Sequence, residues 1–465
     1  MPHPRADQKR LRCAGVGGAV LPDYGWDMDP RWALAMTMTC GLLLALPARA
    51  QTAQHLALAQ AHAPVLLQET HEGGLKDLFA AFDFDGNWNG ADNADHVRCY
   101  GNSAECPSGS ACVGQACPLV ATVYFSVVET ATHAFIQYQP YHPLDWKVTN
   151  GHEHDTESIL MVVRKDGGPG TLEAMEVRFH SNWYQYAGAG VGTAADNVDG
   201  PVHRGGDGRV MVYSQMVGHG LCGGYAPVNR LFPDLQLSCR HDEAPHVDTT
   251  GVIYRPNLPA VMPVVVDGMV VETGYSLVEL STSLWAHIGE IGPTAAFGES
   301  MDFTGERCAD FPACPTGIGG KYNGNEGNAP SHAWGQEGGN GVTARGSQFF
   351  DPAYTMSLRL LFPAPFSLDY CWNPYVGITT GCDVEQDAGV VGMDASSTVD
   401  AGGEDAGTTL DASVPADGAL SADGGGAGAP PLDGACGCST ASQGAGRVAL
   451  VLWLGALLRW KKRRA

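Results

Sequence analysis

The sequence predicts a mainly β protein: a disulfide-stapled β-sandwich with long glycine-rich loops, followed by a disordered stalk and a short C-terminal hydrophobic helix. Short runs of β-branched and aromatic residues recur along the chain with turn residues between them, which is typical of sandwiches. Ten of the 14 cysteines lie between Cys99 and Cys382, an even number that is typical of an exported domain. The 61 glycines and the low share of charged residues, 17%, favour a loop-rich extracellular protein.

Composition divides the 465 residues into four segments. Residues 1–50 are predicted to be a signal peptide, because an apolar run, 32–46, precedes a small-x-small cleavage site at Ala48–Ala50. Met28 is an alternative start. Residues 51–383 are the predicted extracellular domain. Residues 384–433 are rich in Asp, Ala and Gly and lack lysine and arginine, which predicts a disordered acidic linker.

Residues 434–465 combine a cysteine-bearing motif, a short apolar helix at 448–458 and a basic cluster. This arrangement resembles the MYXO-CTERM sorting tail of myxobacterial surface proteins. The resemblance implies cleavage by a sorting protease near Cys436 or Cys438, lipidation there, and display on the outer membrane of a Gram-negative bacterium.

Negative charge is concentrated in residues 51–383, where 36 acidic and 15 basic residues give −21 of the net charge of −23. Such a surface repels nucleic acid and anionic lipid headgroups, so we expect no nucleic-acid partner. It suits cation binding. The alternative is that it only keeps an exported protein soluble.

The strand pattern begins after a helix that is expected over HLALAQAHAPVLLQE. Residues 119–129 and 132–139 predict a tight hairpin, and residues 158–165 and 172–180 predict two strands joined by a Gly-Gly-Pro-Gly turn. Further short strands are predicted from RVMVYSQM, GVIY, AVMPVVVDGMVVE, YSLVEL, SLWAHIG and YTMSLRLLF.

Cysteine spacing predicts local disulfides. The predicted pairs are Cys222 with Cys239, Cys308 with Cys314, and Cys371 with Cys382. The remaining four, Cys99, Cys106, Cys112 and Cys117, allow three connectivities. Zinc is the alternative use of these cysteines, but the region contains no CxxC pair.

An oxygen-rich loop, FDFDGNWNGADNADH, is a candidate calcium site. Its side-chain oxygens would come from Asp83, Asp85, Asn87, Asn89 and Asp92, and hard cations prefer such ligands. The glycine position and the absence of a closing glutamate exclude an EF-hand. The alternative is an Asx-rich turn whose side chains cap its own backbone.

The strongest candidate site is the octet GHEHDTES at 151–158, which gathers carboxylates and imidazoles next to an apolar strand. In an extended chain, Glu153, Asp155 and Glu157 share one face. A bend could bring His152 to Asp155 and Glu157, with Asp145 upstream completing the set. Three carboxylates and one imidazole favour Ca²⁺ or Mg²⁺, with Mn²⁺ also possible. The alternative is a solvated strand end.

The octet resembles the GHRHDWE motif of the necrosis- and ethylene-inducing-like proteins, which are secreted β-sandwich cytolysins. The resemblance implies that His152, Asp155, Glu157 and Asp145 hold a divalent cation, and it covers about 20 of the 465 residues. This chain departs from the motif, because Glu153 replaces the arginine, Thr156 replaces the tryptophan, and Asp145 lies one residue closer than in the family.

Further residues are candidates for ligand binding: His133, Tyr141, His154, His219, His332 and Trp334. The leading hypothesis is a surface-displayed protein in which the cation bridges to a carbohydrate or lipid headgroup. One alternative is a metal-dependent hydrolase with His154 or Glu153 as general base. The other is a structural surface protein in which the cation only stabilises a loop. No nucleophile elbow, P-loop or dinucleotide fingerprint is present.

Overall fold

The computed structural model describes residues 51–71, 74–90, 92–98, 112, 117–147, 151–180, 182–227, 238–291, 303–316 and 346–382. For residues 152, 289 and 291 it describes the backbone only. The predicted signal peptide, linker and sorting tail lie outside these ranges, as do His332, Trp334, Cys436 and Cys438. No helix among the described residues is long and apolar enough to cross a membrane.

The fold is mainly β, as predicted. Among the described residues, the larger sheet has nine strands and is built around the predicted hairpin. They are β2 (Thr122–Thr130), β3 (His133–Asp145), β4 (His152–Thr156), β5 (Ile159–Arg164), β6 (Thr171–Phe179), β7 (Asn182–Ala187), β9 (Gly200–Pro201), β14 (Ser276–Glu279) and β16 (Tyr370–Trp372). The main path is β14-β2-β3-β5-β6-β7-β9; β16 pairs with β2, and β4 pairs with β3.

The smaller sheet has five strands in the order β11-β10-β1-β12-β13. They are β1 (Val65–Glu69), β10 (Met211–Ser214), β11 (Leu221–Cys222), β12 (Gly251–Arg255) and β13 (Val270–Gly274). A further pair joins β8 (Gly192–Thr193) to β15 (Leu360–Leu361). One hydrophobic cluster includes Leu66 and Tyr254 of the small sheet and Phe125 and Val162 of the large sheet, so the two sheets share a core.

Within the described ranges, helices are few and short. They are α1 (51–62), α2 (Asn93–Arg98), α3 (Ile288–Ile291), α4 (Ser347–Phe350) and α5 (Pro352–Arg359), with 3-10 turns at Leu75–Asp77, Leu280–Thr282, Cys308–Asp310 and Pro374–Val376. The predicted first helix ends at residue 62, because Pro64 disfavours the helical conformation in the residue before it. The prediction is wrong for the last part of the run, VLLQE, which is the buried strand β1.

Three predicted strands are wrong in whole or in part. Residues 354–359 of YTMSLRLLF belong to helix α5, which begins at Pro352. Its buried residues Ala353, Met356 and Arg359 recur at helical spacing. SLWAHIG forms turns leading into α3. Of AVMPVVVDGMVVE, only the end from Val270 onward is a strand.

The three predicted disulfides are confirmed, and Cys112 pairs with Cys117. This pair selects one of the three connectivities open for the first four cysteines. Cys99 and Cys106 lie outside the described residues.

Helix α5 is fixed to the large sheet by a buried ion pair. Nη1 of Arg359 lies 2.6 Å from Oε2 of Glu176 on β6, and both side chains are fully buried. Gln185 Nε2 donates to the same oxygen. Burial raises the pKa of Glu176, and Arg359 opposes that rise.

We expect Arg359→Leu to lower the free energy of unfolding by roughly 3–5 kcal/mol, because it leaves Glu176 buried without its cation. Chemical denaturation measures this change. Arg255→Leu is the matched control: its pair with Glu272 is exposed, so the substitution should cost under about 1 kcal/mol. Equal effects of the two substitutions would contradict a structural role for the buried pair.

Candidate functional site

The central octet lies in the large sheet where the pairing partner of β3 changes. The first half of β3 pairs with β5, and its second half, Tyr141–Asp145, pairs with β4. Asp145 is therefore opposite His152, and His142 is opposite Asp155. Glu157 follows at the gap between β4 and β5. This register brings the four predicted ligands to one end of the sheet.

Asp155 is held by a buried histidine from another part of the chain. His219 Nδ1 lies 3.0 Å from Asp155 Oδ2, and its Nε2 lies 3.1 Å from Asp77 Oδ1. All three side chains are fully buried. Burial opposes the imidazolium charge, but the two carboxylates outweigh it and raise the pKa of His219 to about 9. His219 is therefore a cation that donates from both ring nitrogens.

A second histidine, His142, stacks on His219. The rings of His142 and His219 stack 3.6 Å apart and 5° from parallel. Burial, together with the charge on His219, holds the pKa of His142 well below its usual value. His142 is neutral and donates from Nε2 to Oε1 of Gln68 on β1, 3.1 Å away. This contact links the site to the small sheet.

Glu157 is enclosed by groups from the end of β6. Its Oε1 accepts the backbone N–H of His180 at 3.1 Å, and its Oε2 lies 3.3 Å from Nε of Arg178. Burial raises the pKa of Glu157 well above its usual value, while Arg178 and Lys147 oppose the rise. A further positive charge nearby would favour the ionised form.

The ammonium of Lys147 lies among the predicted ligands. Its Nζ is 3.4 Å from Asp145 Oδ2 and 3.5 Å from Nδ1 of His180. Burial and the charge on Lys147 lower the pKa of His180 to about 3, so the ring is neutral and its Nδ1 can accept a hydrogen bond from the ammonium. Gly218 makes room for the lysine, since a Cβ at that position would lie 2.0 Å from Lys147 Cε.

The backbone is strained around these groups. Positive φ angles among the described non-glycine residues occur at four positions: His154 (55°), His180 (57°), Val217 (72°) and His219 (52°). Three of these residues, His180, Val217 and His219, contact the charged groups, and His154 lies beside Asp155. Val217 directs its N–H to Asp77 Oδ1 at 2.7 Å. Left-handed conformations are unfavourable for such residues and concentrate at functional sites.

A cavity of ≈ 290 Å³ opens beside Asp145. Its lining includes three cations, Lys76, Arg98 and Lys147, together with the aromatic side chain of Trp146. Lys76 lies over the Trp146 ring at 5.2 Å, and Trp146 Nε1 donates to Asp77 at 3.0 Å. Lys147 is paired with Asp145 and Arg98 with Asp95, so the positive character of the cavity rests most on Lys76.

The donor chemistry of the predicted metal site fits a hard divalent cation, because Asp145, Asp155 and Glu157 supply buried carboxylate oxygens. Their present geometry is not that of a formed metal site. Within the described ranges, two groups bring three potential ligands within 4.8 Å of one another, and neither contains these carboxylates. Each carboxylate instead contacts a cation of the protein itself. Cation entry would require Lys147 to leave Asp145.

One of the two groups lies in the predicted calcium loop. It combines Asp85 and Asp92 with His96 of α2, a residue that the sequence prediction did not include. The loop also forms the alternative Asx turns: Asp85 accepts the Asn87 N–H at 3.2 Å, and Asn87 Oδ1 accepts the Asn89 N–H at 2.7 Å. The side chain of Asp83 does not belong to this group. The other group contains Cys371 and Cys382, whose sulfurs form a disulfide.

The remaining candidate ligand residues divide by position. His219 belongs to the site. Tyr141 and His154 lie beneath it, fully buried, with Tyr141 Oη 2.8 Å from His154 Nδ1. His133 begins β3, at the opposite end from Asp145, and its Nε2 lies 3.0 Å from Glu173 Oε2.

No protein-family profile matches the sequence, and no curated protein matches it either. Solved structures that match include Necrosis and Ethylene inducing Protein 2 from the causal agent of cocoa's witches' broom disease, at 18% identity, with 40% of this chain and 72% of that chain covered and a TM-score of 0.22. Non-toxic HaNLP3 matches at 17% identity, with 41% of this chain and 73% of that chain covered and a TM-score of 0.23. NLPPya in complex with mannosamine matches at 17% identity, with 40% of this chain and 74% of that chain covered and a TM-score of 0.22. The first name is that of the family which the central octet resembles.

The raised pKa of His219 predicts a pH-dependent stability. Its contribution is fully present below the unfolded pKa of about 6.5 and is lost as the pH rises through the folded pKa of about 9, for a total of ~3 kcal/mol. We therefore expect the free energy of unfolding, measured by denaturant titration in EDTA, to fall across this window. His219→Gln should remove the slope, and the exposed His246→Gln should retain it. A slope unchanged in His219→Gln would contradict the assignment.

Proposed function

We propose that this protein binds a carbohydrate or lipid headgroup in the cavity beside Asp145, with a divalent cation, Ca²⁺, Mg²⁺ or Mn²⁺, bridging ligand and protein. Asp145, His152, Asp155 and Glu157 would hold the cation. The observation that carries the proposal is the contact of the three-cation cavity with Asp145, a buried carboxylate at the edge of the strained site. Ligand hydroxyl or acid oxygens could thus reach the cation and the cavity wall together.

The cavity favours a particular kind of ligand. Trp146 offers an apolar ring of the kind on which sugar rings pack, and three cations attract an acidic group. Solved neighbours include NLPPya in complex with mannosamine and in complex with glucosamine. In this chain the cations disfavour a positively charged amino sugar, so we propose a neutral or acidic sugar or a phosphate-bearing headgroup.

The hydrolase alternative has less support. His154, its predicted general base, is fully buried against Phe82 and Tyr141, whose ring centroids lie 5.5 and 5.9 Å from it. Glu153 is half-buried, and burial raises its pKa. Neither residue lines the cavity. A binding function fits these positions better than catalysis by either residue.

The cellular location remains a proposal based on sequence. The export signal at 1–50 and the sorting-tail resemblance at 434–465 support display at the outer membrane, with a sorting protease acting on the tail. Binding would then take place outside the cell.

The cation site is tested by calorimetric titration of the full-length protein with Ca²⁺, Mg²⁺ and Mn²⁺. We expect saturable binding that Asp145→Asn weakens at least about tenfold, or ~1.4 kcal/mol, because it removes a charged ligand. Lys147→Met should instead strengthen binding, because it removes the competing ammonium from Asp145.

Asp166→Asn is the control for loss of charge alone, since Asp166 is an exposed carboxylate in the β5–β6 turn. Absence of binding in the wild-type protein would sink the cation proposal. Circular dichroism of each variant checks that the fold is retained.

Ligand charge is tested with three matched sugars: glucuronate, glucose and glucosamine, each titrated with the preferred cation present. We expect affinity to fall in that order because the cavity carries Lys76, Arg98 and Lys147. Lys76→Ala should weaken glucuronate more than glucose, whereas Trp146→Ala should weaken both. If the cation only stabilises a loop, EDTA will lower the thermal midpoint and leave sugar affinity unchanged.

A further inference from the structure

Exposed apolar side chains are concentrated in one loop. In the described part of the chain, six large apolar residues are exposed, and five of them lie in the segment 261–270, which leads into β13. These five are Val261 (55% exposed), Val264 (78%), Val266 (44%), Met269 (53%) and Val270 (39%). Apolar patches of this kind mark interaction sites. We call residues 261–270 the apolar loop.

The apolar loop is held in place by hydrogen bonds. Thr273 Oγ1 donates to the Val261 carbonyl at 2.8 Å, the Met269 N–H donates to the Val266 carbonyl at 3.0 Å, and the Gly268 N–H donates to Thr250 Oγ1 at 2.8 Å. The exposed side chains are therefore presented by an ordered backbone, and docking costs little ordering entropy.

The composition of the apolar loop suits hydrocarbon contact. Between Pro256 and Val271 the sequence contains one charged residue, Asp267, and no lysine or arginine. Four of the five exposed apolar residues precede β13, which begins at Val270. On the neighbouring strands, the exposed pair of Arg255 and Glu272 introduces charge. Insertion of the loop tip thus fits the pattern better than addition of a peptide strand to the β13 edge.

The apolar loop lies beside the cavity of the candidate site. Val265 packs on Gly74, where a Cβ would lie 2.4 Å from Val265 Cγ1, and Lys76 follows two residues later over Trp146. Tryptophan and lysine next to an apolar element are typical of surfaces that lie at a membrane interface. The net charge of −23 disfavours an anionic bilayer and favours a zwitterionic one, whose phosphates could meet the cavity cations.

We propose that the apolar loop inserts into the interface of a zwitterionic phospholipid bilayer and seats the protein with Lys76 and Trp146 at headgroup level. Insertion does not depend on the cation site. It would bring the cavity to ligands carried on a lipid surface, whether or not the cavity also binds free sugars.

The test is sedimentation of full-length protein with phosphatidylcholine vesicles in EDTA. We expect the triple variant Val264→Ser, Val266→Ser, Met269→Ser to lower the partition coefficient at least about tenfold, because each serine replaces an inserting apolar side chain. Leu361→Ser is the matched control, since Leu361 is the sixth exposed apolar residue (58%) and lies outside the loop, so it should leave partitioning unchanged.

The comparison is repeated with the chain ending at residue 433, because the apolar segment 448–458 could itself bind lipid. All substituted side chains are exposed, and circular dichroism verifies the fold of each variant. Equal partitioning of wild type and triple variant, or no partitioning of the shortened wild type, overturns the proposal. Because EDTA removes the cation throughout, failure of the cation site would appear in calorimetry and not in this assay.

Discussion

The buried Asp77–His219–Asp155 chain is the interaction on which the site depends. Asp77 accepts hydrogen bonds from four groups: the backbone N–H groups of His71 and Val217, Trp146 Nε1 and His219 Nε2. One carboxylate thus joins the 3-10 turn at Leu75–Asp77, the end of β3 and the loop after β10. Buried charges need such partners, because an unpaired one costs several kcal/mol. The position of Trp146, and with it the cavity wall, follows from this chain.

The strained backbone is a consequence of the same constraint. Val217 and His219 are two residues apart, yet the first directs its N–H and the second its ring to Asp77. Meeting both contacts places Val217 and His219 at positive φ. Each such residue costs of order 1–3 kcal/mol, which charged hydrogen bonds offset. Loss of His219 should therefore alter the geometry of the site as well as its stability.

Charge balance explains how a site of this kind can exist with and without a divalent ion. Asp145 contacts Lys147, Asp155 contacts His219, and Glu157, whose pKa is raised by burial, contacts Arg178. Exchange of Lys147 for a divalent ion would keep a positive charge beside Asp145, and the higher charge of the ion would favour the ionised form of Glu157. The released ammonium would remain at the cavity, which it already lines. Lys147 therefore acts as a tethered substitute for the cation in our proposal.

The sequence predicted the structural features that depend on residues close together in the chain. The β2–β3 hairpin, the two strands after it and three disulfides of short separation follow from neighbouring residues, and all are confirmed. The clustering of Asp145, Asp155 and Glu157 at one end of the sheet also follows from a short stretch. The strand prediction for α5 is wrong because its apolar run suits either a strand or a helix, and Pro352 decides between them.

The long-range contacts of these buried carboxylates could not be predicted from the sequence. Asp77 and His219 are 142 residues apart, and neither lies in a motif that indicates its partner. Arg178 and His180 reach Glu157 only because β6 follows β5 in register. A sequence pattern identifies which atoms could bind a cation, whereas the long-range contacts decide what already neutralises them. In this protein the long-range partners His219 and Arg178 already contact Asp155 and Glu157, while the local partner of Asp145, Lys147, must be displaced for a cation to enter.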